Sequence, residues 1–462
     1  MPDYDAIVLG AGLSGLSAGI RLAYSGRKVA VVESHRIPGG LNSYYNRGDT
    51  TIDVGLHSIT NYVPETERTA PMNKLFRQLK LRRSEMNLCP QSFSEIRFPD
   101  ATLRMGNTLD VIQADIARCF PEDADGFKRL CDTFRGYSYE GADVPEGFAR
   151  QTLAKFIKSP ILRDMILCPV MFYGNPAQND MTLKQFSVMF KSIFLEGMAR
   201  PHDGMKSIIC AMVEKFNELG GTLILNNGAT KIQIEDGTAT GVSLKSGDTI
   251  TASTIVSSIG ALETASICTE SVPSINAAEP GRICFVEAIF SLDRQPSDIG
   301  IDAAIIFKNN TNEFEFKAPK ECLDFNSHVL CMPGNFNGCD NIPAAKSLRL
   351  TTLTSHECWA NLAKDEYKKA KETALEQLTN VLKSVSPELP KCIVNAELST
   401  PKTITRCTGH VNGAIYGSPT KFYDSQTDCR NLFLCGTDQG FLGIIGSMMS
   451  GTIVANQLIR NC

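Results

Sequence analysis

Three glycines near the start of the chain have the spacing of a turn that binds a dinucleotide. Gly10, Gly12 and Gly15 belong to the sequence GAGLSG. In such a turn the first glycine permits a sharp bend, the second lets a pyrophosphate approach the backbone, and the third lets a helix pack close to a strand. The amides of Leu13 and Ser14 would open that helix and face the phosphates. The chemistry predicted for this turn is the binding of an anion.

A carboxylate lies where this arrangement binds a ribose. Glu33 ends the apolar run Val29 to Val32, about 20 residues after the glycines. We expect Glu33, with its neighbour Ser34, to bind the ribose hydroxyls of adenosine, and its charge would repel a 2′-phosphate. Glycine-rich turns between a strand and a helix also arise from α/β packing alone. Here the strand, the helix, the second strand and the acid occur together, and this combination favours nucleotide binding.

The residues after Glu33 indicate which nucleotide is bound. Gly39 and Gly40 form a second glycine turn, which Leu41 and Asn42 continue. Two glycine turns suit an extended dinucleotide that stays bound during turnover. They favour FAD over an exchangeable NAD as the cofactor, and we assign these four residues to its site.

The hydrophobic pattern predicts the elements that position these residues. Ala6 to Leu9 is predicted to be a strand and Leu13 to Tyr24 a helix. A later region, residues 205–268, reads as a helix followed by hairpins and a last strand, which would return the chain to the nucleotide site. Within it, Ile232 is expected near the adenine.

The segment NLFLCGTDQGFLGIIGSMMSG predicts a strand, a glycine turn at Gly436, a loop through Gly440 and Gly443, and a helix that begins near Ile444. Gly443 and Ile444 are assigned to the flavin site. The positive end of this helix would face the pyrimidine edge of a flavin, where the reduced form is negatively charged. We expect Asp438 to accept hydrogen bonds from the ribityl hydroxyls. A glycine-rich closing turn without a cofactor is the alternative.

The segment from Gln151 to Ala199 is rich in Phe, Met and Ile and carries few charges. One interpretation is a set of helices packed in the core of a second lobe. The other is an apolar route for the substrate whose mouth meets lipid. In the second interpretation Phe190 and Phe194 would contact the membrane.

Composition restricts the classes of function. A formal net charge of −4 over 462 residues argues against general nucleic-acid binding. The 16 cysteines include no pair separated by two residues, so we expect reduced thiols and no metal site. The chain shows neither a secretory signal nor a run of about 20 apolar residues. We expect a cytoplasmic protein with peripheral contact to the cytoplasmic membrane.

Taken together, these motifs resemble the FAD-dependent amine-oxidase and phytoene-desaturase superfamily. The resemblance rests on GAGLSG with Glu33, PGGLNS, DVGLH, ARPHDGM, the hairpin ATGVSLKSGDTITASTIVSSIG and the closing GTDQGFLGIIGSMMSG. Two further segments, GLHSI and STPKTITRCTGHVNGAIYG, look like those of carotenoid desaturases, carotenoid isomerases and retinol saturases. The middle of the chain matches nothing specifically.

The resemblance implies an α/β fold, with a glutathione-reductase-like FAD-binding Rossmann lobe (a ββα sandwich) interrupted by a mixed α+β substrate lobe. Residues 1–75, 205–268 and 397–462 would form the FAD lobe. Residues 76–204 and 269–396 would form the substrate lobe. Membrane-facing helices are expected in the first of these two parts.

The resemblance also implies hydride exchange between flavin N5 and an apolar isoprenoid or polyene. His57 is the candidate for the accompanying proton, with a structural imidazole as the alternative, and Tyr416 is a second candidate. A quinone, oxygen or a small carrier would exchange electrons with the flavin. Two other functions stay open. They are amine oxidation, and prenyl binding without catalysis, as in relatives of the GDP-dissociation inhibitors.

Overall fold

The computed structural model describes residues 1–47, 50–55, 57–139 and 141–460. Its first lobe is built on a parallel sheet that gathers strands from the beginning, the middle and the end of the chain. In spatial order they are Thr222–Ile224, Val29–Val32, Ala6–Leu9, Ile255–Ser257 and Leu432–Leu434. The strand predicted at Ala6 to Leu9 and the helix predicted at Leu13 to Tyr24 are confirmed.

Side chains on these strands alternate between two apolar layers. Val8 and Val31 pack on the face covered by the helices Leu13–Tyr24, Met205–Glu218 and Gly443–Arg460. Ile7 and Val32 point to the opposite face. An antiparallel sheet covers that face, with the strands Ala229–Glu235, Thr238–Leu244 and Thr249–Thr251. The lobe is therefore a layer of helices, a parallel sheet and a second sheet, as expected for an α/β protein.

The second lobe is built on a larger mixed sheet. Its strands in spatial order are Ile393–Ser399, Cys284–Leu292, Ser347–Thr354, Leu323–Cys331, Ile305–Asn309, Ser94–Arg97 and Thr102–Met105. Neighbouring strands are antiparallel except where Ile305–Asn309 pairs with Ser94–Arg97. One face packs against the helices Leu109–Cys119, Ala124–Gly136, Ala149–Phe156, Pro160–Gly174 and Leu183–Phe190, and the other against Lys364–Leu382.

Shorter elements complete the described chain. Two small sheets contain the strands Tyr44–Arg47 with Thr50–Asp53, and Ile59–Thr60, Met198–Pro201 and Leu88–Pro90. The short α-helices are Pro71–Gln78, Ala261–Ile267, Pro273–Asn276, Glu357–Ala360 and Pro401–Thr408, and Lys191–Glu196 is a π-helix. The 3₁₀ turns are Gly40–Asn42, Arg83–Met86, Pro121–Asp123, Pro296–Ile299, Pro333–Asn335, Leu389–Cys392, Val411–Gly413 and Thr437–Gln439.

The apolar segment from Gln151 to Ala199 forms part of the core of the second lobe. Phe190 is 0% exposed and Phe194 is 4% exposed. The ring of Phe190 lies 5.1 Å from that of Phe194 and 5.4 Å from that of Phe186, between ring centroids. Membrane contact through Phe190 and Phe194 is therefore a wrong prediction, because neither ring reaches the surface. Among the described residues, no helix is both long enough and apolar enough to cross a bilayer.

One pair of cysteines departs from the expectation of reduced thiols. Cys322 and Cys358 form a disulfide, with their Cα atoms 5.6 Å apart. Cys322 immediately precedes the strand Leu323–Cys331, and Cys358 lies in the short helix Glu357–Ala360. The two cysteines are 36 residues apart in the sequence. Their pairing depends on the tertiary fold, which cysteine spacing alone did not reveal.

The burial of Phe190 leads to a stability prediction. Phe190→Ala would leave a cavity in the core, and we expect it to lower the free energy of unfolding by about 3–5 kcal/mol. Phe148→Ala is the matched control, because Phe148 is 56% exposed, and its effect should stay within about 0.5 kcal/mol. Urea denaturation followed by circular dichroism measures both. Equal effects of the two substitutions would contradict the assignment of Phe190 to the core.

Candidate functional site

The first glycine turn combines one tightly packed glycine with one open glycine. A Cβ added at Gly15 would lie 1.9 Å from the carbonyl oxygen of Gly10, and Gly10 itself has a φ of +93°. Of the residues that the structure describes, a Cβ added at Gly12 would meet only the Cα of Gly40, at 3.9 Å. No side chain caps the helix that follows Gly12, within the part of the chain described. Gly15 thus serves packing, while the face of Gly12 is free to receive a ligand.

The second glycine turn lies directly against the first. The amide of Gly39 donates to the carbonyl of Ala11 at 2.8 Å. Gly39 has a φ of +117°, and a Cβ there would lie 2.6 Å from Ile209. The two turns predicted to grip the cofactor are therefore adjacent in the structure.

Glu33 lies beneath the first turn and is 9% exposed. Its Oε2 accepts from the amide of Ala11 at 2.7 Å, and its Oε1 accepts from the amide of His35 at 2.7 Å. The Ser34 hydroxyl donates to the same Oε1 at 3.2 Å. These bonds fix the carboxylate at the end of its strand. The ribose-binding role of Glu33 and Ser34 stays a prediction.

Ile232 lies at the centre of the apolar layer between the two sheets of the first lobe. Its side chain is fully buried. Its carbonyl accepts from the amide of Thr269 at 3.0 Å. The structure thus makes Ile232 a core residue of this layer, and its proximity to the adenine stays a prediction.

The closing motif packs the last helix against the first. The amide of Gly436 donates to the Ser450 hydroxyl at 2.6 Å. A Cβ added at Gly451 would lie 1.9 Å from the carbonyl oxygen of Ser14. These contacts hold the closing helix against the first helix, and Gly443 and Ile444 at its start line a cavity.

Asp438 holds three backbone segments together. Its oxygens accept from the amides of Ala261 at 2.7 Å and Ser418 at 2.8 Å, and Nζ of Lys421 lies 3.8 Å away. Burial lowers the pKa of Lys421 to about 8, against the opposing influence of the Asp438 charge. Lys421 also donates to the carbonyls of Tyr416 and Thr437. Sequence reasoning did not anticipate this connecting role, and ribityl binding by Asp438 stays a prediction.

A cavity of about 160 Å³ lies where the two lobes meet. It brings together the predicted residues Leu41, Asn42, His57, Tyr416, Gly443 and Ile444. The second lobe contributes the aromatic and aliphatic side chains of Phe172, Tyr173, Phe285 and Val329. It also contributes the polar side chains of Glu287, Thr351 and Ser399. The cavity is therefore apolar with one polar edge.

His57 lies at this polar edge. Its Nε2 is 2.9 Å from Oγ1 of Thr351 and 3.3 Å from Oε1 of Glu287. The carboxylate of Glu287 also accepts from Nε and Nη2 of Arg349, at 2.9 and 2.7 Å. The side chains of Glu287 and Arg349 are 13% and 4% exposed. An imidazole, a hydroxyl and a bidentate ion pair thus form one network on the cavity wall.

The ion pair keeps Glu287 ionised. Burial by itself would raise the pKa of this carboxyl, but the charge of Arg349 and the hydrogen bond from His57 outweigh burial and hold the pKa well below its ordinary value. A buried ion pair of this kind is costly to break, because the partner left behind is an uncompensated charge.

Tyr416 supports the apolar wall of the cavity. Its hydroxyl donates to the carbonyl of Phe172, and its ring lies 6.0 Å from that of Phe285. Burial raises the pKa of Tyr416 above its ordinary value. The structure commits this hydroxyl to the backbone, and a catalytic role for Tyr416 stays a prediction.

A second buried carboxyl, Glu196, lies at the end of the π-helix. Its Oε2 accepts from Nδ2 of Asn61 at 2.7 Å and from the Tyr139 hydroxyl at 3.3 Å. Asn61 follows Thr60, which lines the cavity. Burial raises the pKa of Glu196 to about 7, although these hydrogen bonds and the charge of Lys191 oppose the increase.

Sequence reasoning missed Glu287, Arg349 and Thr351, although a signal was present. Each charge stands alone in an apolar run, CFVEAIFSL and SLRLTTLT. Glu287 and Thr351 are directly opposite each other on paired antiparallel strands. Single charges of opposite sign in two buried strands indicate a buried pair, because an isolated charge there would be too costly. The pairing of the strands was not readable from the sequence.

Residues 13–459 match the family of flavin containing amine oxidoreductases. The chain belongs to this family. It is 23% identical to prolycopene isomerase 2, chloroplastic, from an Oncidium hybrid cultivar, over 99% of this chain and 84% of the relative. It is 22% identical to the all-trans-retinol 13,14-reductase of Danio rerio, over 98% of this chain and 86% of the relative.

A solved structure has the same fold over nearly its whole length. It is an oxidoreductase from Methanosarcina mazei, with a TM-score of 0.69 and 14% identity, and the match covers 98% of this chain and 99% of the other. At this identity the similarity concerns the fold alone.

The cofactor is FAD, the usual flavin of this family. The residues present fit it. The open face of Gly12 and the uncapped amides of the following helix form a cradle that a side chain at Gly12 would fill. Gly443 and Ile444 open another helix at the cavity. The structure therefore contains both helix starts that are predicted to face FAD, one after Gly12 and one at Gly443.

The contrast between Gly12 and Gly15 leads to a cofactor prediction. Gly12→Val should fold, because its Cβ has space, but it should lose most bound flavin, because the side chain fills the path of the pyrophosphate. Gly15→Val should fail to fold. Gly136→Val is the matched control, since a Cβ there meets none of the described residues within 4 Å, and it should keep its flavin. Flavin absorbance and thermal unfolding measure both effects, and full flavin content in Gly12→Val would contradict the assignment.

The raised pKa of Glu196 leads to a pH prediction. Between about pH 4.5 and pH 7 the folded protein binds this proton and the unfolded chain does not, so stability falls as pH rises through that window. Glu196→Gln removes this cost. We expect the variant to exceed the wild type by up to about 3 kcal/mol at pH 8 and by about 1 kcal/mol or less at pH 5. Urea denaturation at both pH values measures this, and a difference independent of pH would contradict it.

Proposed function

We propose that this chain is an FAD-dependent oxidoreductase acting on an apolar isoprenoid or polyene, of carotenoid-like or retinoid-like chemistry. The lobe built on the parallel sheet would be the glutathione-reductase-like Rossmann lobe, and the other lobe would hold the substrate. The bound flavin supplies hydride exchange at N5, which serves desaturation, saturation or redox-assisted isomerisation.

The observation that carries this proposal is the composition of the cavity. One side is formed by residues of the glycine turn and the closing helix, Leu41, Asn42, Gly443 and Ile444. The opposite side is formed by aromatic and aliphatic residues, Phe172, Tyr173, Phe285, Ile404 and Ile415. Such a wall favours an apolar substrate, since each Å² of apolar surface removed from water contributes about 25 cal/mol.

The protein's own residues orient the substrate, exclude water from the cavity and exchange a proton. The aromatic wall is held in place by the hydrogen bond from Tyr416 to Phe172 and by the stacking of Phe172 on Phe285, with ring centroids 5.7 Å apart. His57 is the imidazole at the polar edge of the cavity, and imidazole is the side chain used most often for general acid–base catalysis. A proton must move whenever a hydride leaves or joins a carbon–carbon double bond, and His57 is the proposed partner.

The relatives support the same class of substrate. A prolycopene isomerase and a retinol reductase share about a quarter of the residues over nearly the whole chain. The names of both describe apolar polyenes. We extend this class to the present chain, with a quinone, oxygen or a small carrier as the external electron partner.

Anaerobic re-oxidation of the flavin tests the proposal. Dithionite-reduced protein should be re-oxidised by a conjugated polyene or by a quinone, and NADPH alone should reduce the oxidised protein slowly. Ile415→Asp places a charge in the apolar wall and should slow re-oxidation by the polyene at least about tenfold, or about 1.4 kcal/mol. Re-oxidation by oxygen should not change. Val394→Asp is the control, because Val394 is 70% exposed.

Three outcomes would overturn the proposal. Rapid, stoichiometric reduction by NADPH would indicate a pyridine-nucleotide-linked reductase. Fast release of peroxide with simple amines would indicate an amine oxidase. Purified protein without flavin that binds prenylated proteins would indicate a prenyl-binding relative. Mass spectrometry of a lipid extract of the purified protein would identify the substrate.

A further inference from the structure

In its proposed role, His57 exchanges a proton through one of its two ring nitrogens. A neutral imidazole carries hydrogen on one nitrogen only, and the hydrogen bond made by one nitrogen decides the state of the other. Nε2 of His57 lies within reach of the Thr351 hydroxyl and the Glu287 carboxylate. A hydroxyl can donate or accept, whereas an ionised carboxylate can only accept. The carboxylate of Glu287 therefore determines which nitrogen of neutral His57 carries the hydrogen.

The position of Arg349 keeps Glu287 ionised, so this carboxylate can only accept hydrogen bonds. Both of its oxygens receive hydrogen bonds from Arg349, in the bidentate arrangement that favours an ionised carboxylate. If Nε2 of His57 were unprotonated, its lone pair would face the charged Oε1 at 3.3 Å. That contact is repulsive, whereas a hydrogen on Nε2 makes it attractive. The Thr351 hydroxyl, 2.9 Å from the same nitrogen, can accept part of this hydrogen bond.

We infer that Glu287 is a positioning residue that holds neutral His57 as the tautomer with hydrogen on Nε2. Nδ1 is then the nitrogen that accepts the proton in desaturation and that delivers it in saturation. The inference rests on the proposed function, since it assigns to His57 the proton that the reaction must move. Arg349 acts one step further away, because it keeps Glu287 charged without contacting His57.

The side chains around His57 come from three neighbouring strands and one helix. The neighbouring strands contribute Glu287, Arg349, Thr351 and Cys331, and the helix Pro160–Gly174 contributes Tyr173. The Cys331 thiol donates to the backbone carbonyl of His57 at 3.4 Å, and the Tyr173 hydroxyl bonds to Ser58 at 2.8 Å. Among the described residues, Glu287 is the charged group within hydrogen-bonding distance of the ring.

Nuclear magnetic resonance of the FAD-loaded protein tests the inference without any substrate. With ¹⁵N in histidine alone, long-range ¹H–¹⁵N correlations distinguish the two tautomers, and loss of one signal set in His57→Gln assigns His57. We expect the wild type to show the Nε2–H tautomer. Glu287→Gln should lose this preference and populate Nδ1–H, because the amide can donate to Nε2. Thr351→Val, which removes the hydroxyl and leaves the carboxylate, should retain Nε2–H.

Two further variants test whether a change of tautomer comes from the lost charge of Glu287 or from a failure to fold. Arg349→Met does not touch His57, yet it should weaken the Nε2–H preference, because Glu287 then becomes protonated and able to donate. If Glu287→Gln alone does not fold, Glu287→Gln combined with Arg349→Met removes both charges and should show the same loss. Nδ1–H in the wild type, or an unchanged tautomer in the Glu287 variants, would overturn the inference. Failure of the polyene assay would overturn the proposed function and leave this measurement unaffected.

Discussion

Two backbone contacts that only glycine permits hold the first lobe together. A Cβ at Gly15 would collide with the carbonyl of Gly10, and a Cβ at Gly451 would collide with the carbonyl of Ser14, each at 1.9 Å. The first contact presses a helix onto its own strand. The second presses the closing helix onto that first helix. Because the closing helix begins at Gly443 on the cavity wall, the shape of the cavity depends on how closely these two helices pack. The position of the first glycine turn and the position of the closing helix at the cavity are thus set by one stack of backbone contacts.

The cavity is apolar, but a rigid polar frame surrounds it. Asp438 and Lys421 lie behind Tyr416 and Thr437, and Glu287 with its ion-pair partner lies behind His57. Buried charges are tolerated when each has a partner and its hydrogen bonds are made. Both carboxylates meet this condition through backbone amides or a guanidinium. The frame fixes the cavity walls without placing a net charge beside an apolar ligand.

Much of the first lobe was predictable from the sequence, because its determinants are local. Glycine spacing, alternation of apolar residues and the helical period from Leu13 to Tyr24 are all visible along the chain. The second lobe was less predictable, since its determinants lie in pairings between distant strands. The opposition of Glu287 to Thr351 and the disulfide between Cys322 and Cys358 are of this kind. Periodicity also could not tell a buried aromatic layer from a lipid-facing one, and residues 151–199 were open to both interpretations for that reason.

The order in which the chain is synthesised gives the closing helix a further significance. The glycine turn at residues 10–15 leaves the ribosome well before residues 443–460. Until then the sheet lacks the strand Leu432–Leu434, and Ile255–Ser257 presents an unpaired edge. An open edge of this kind can pair with other chains. A chain that has not yet folded this segment lacks both the last strand and the closing helix, so completion of the cavity wall competes with pairing of the open sheet edge.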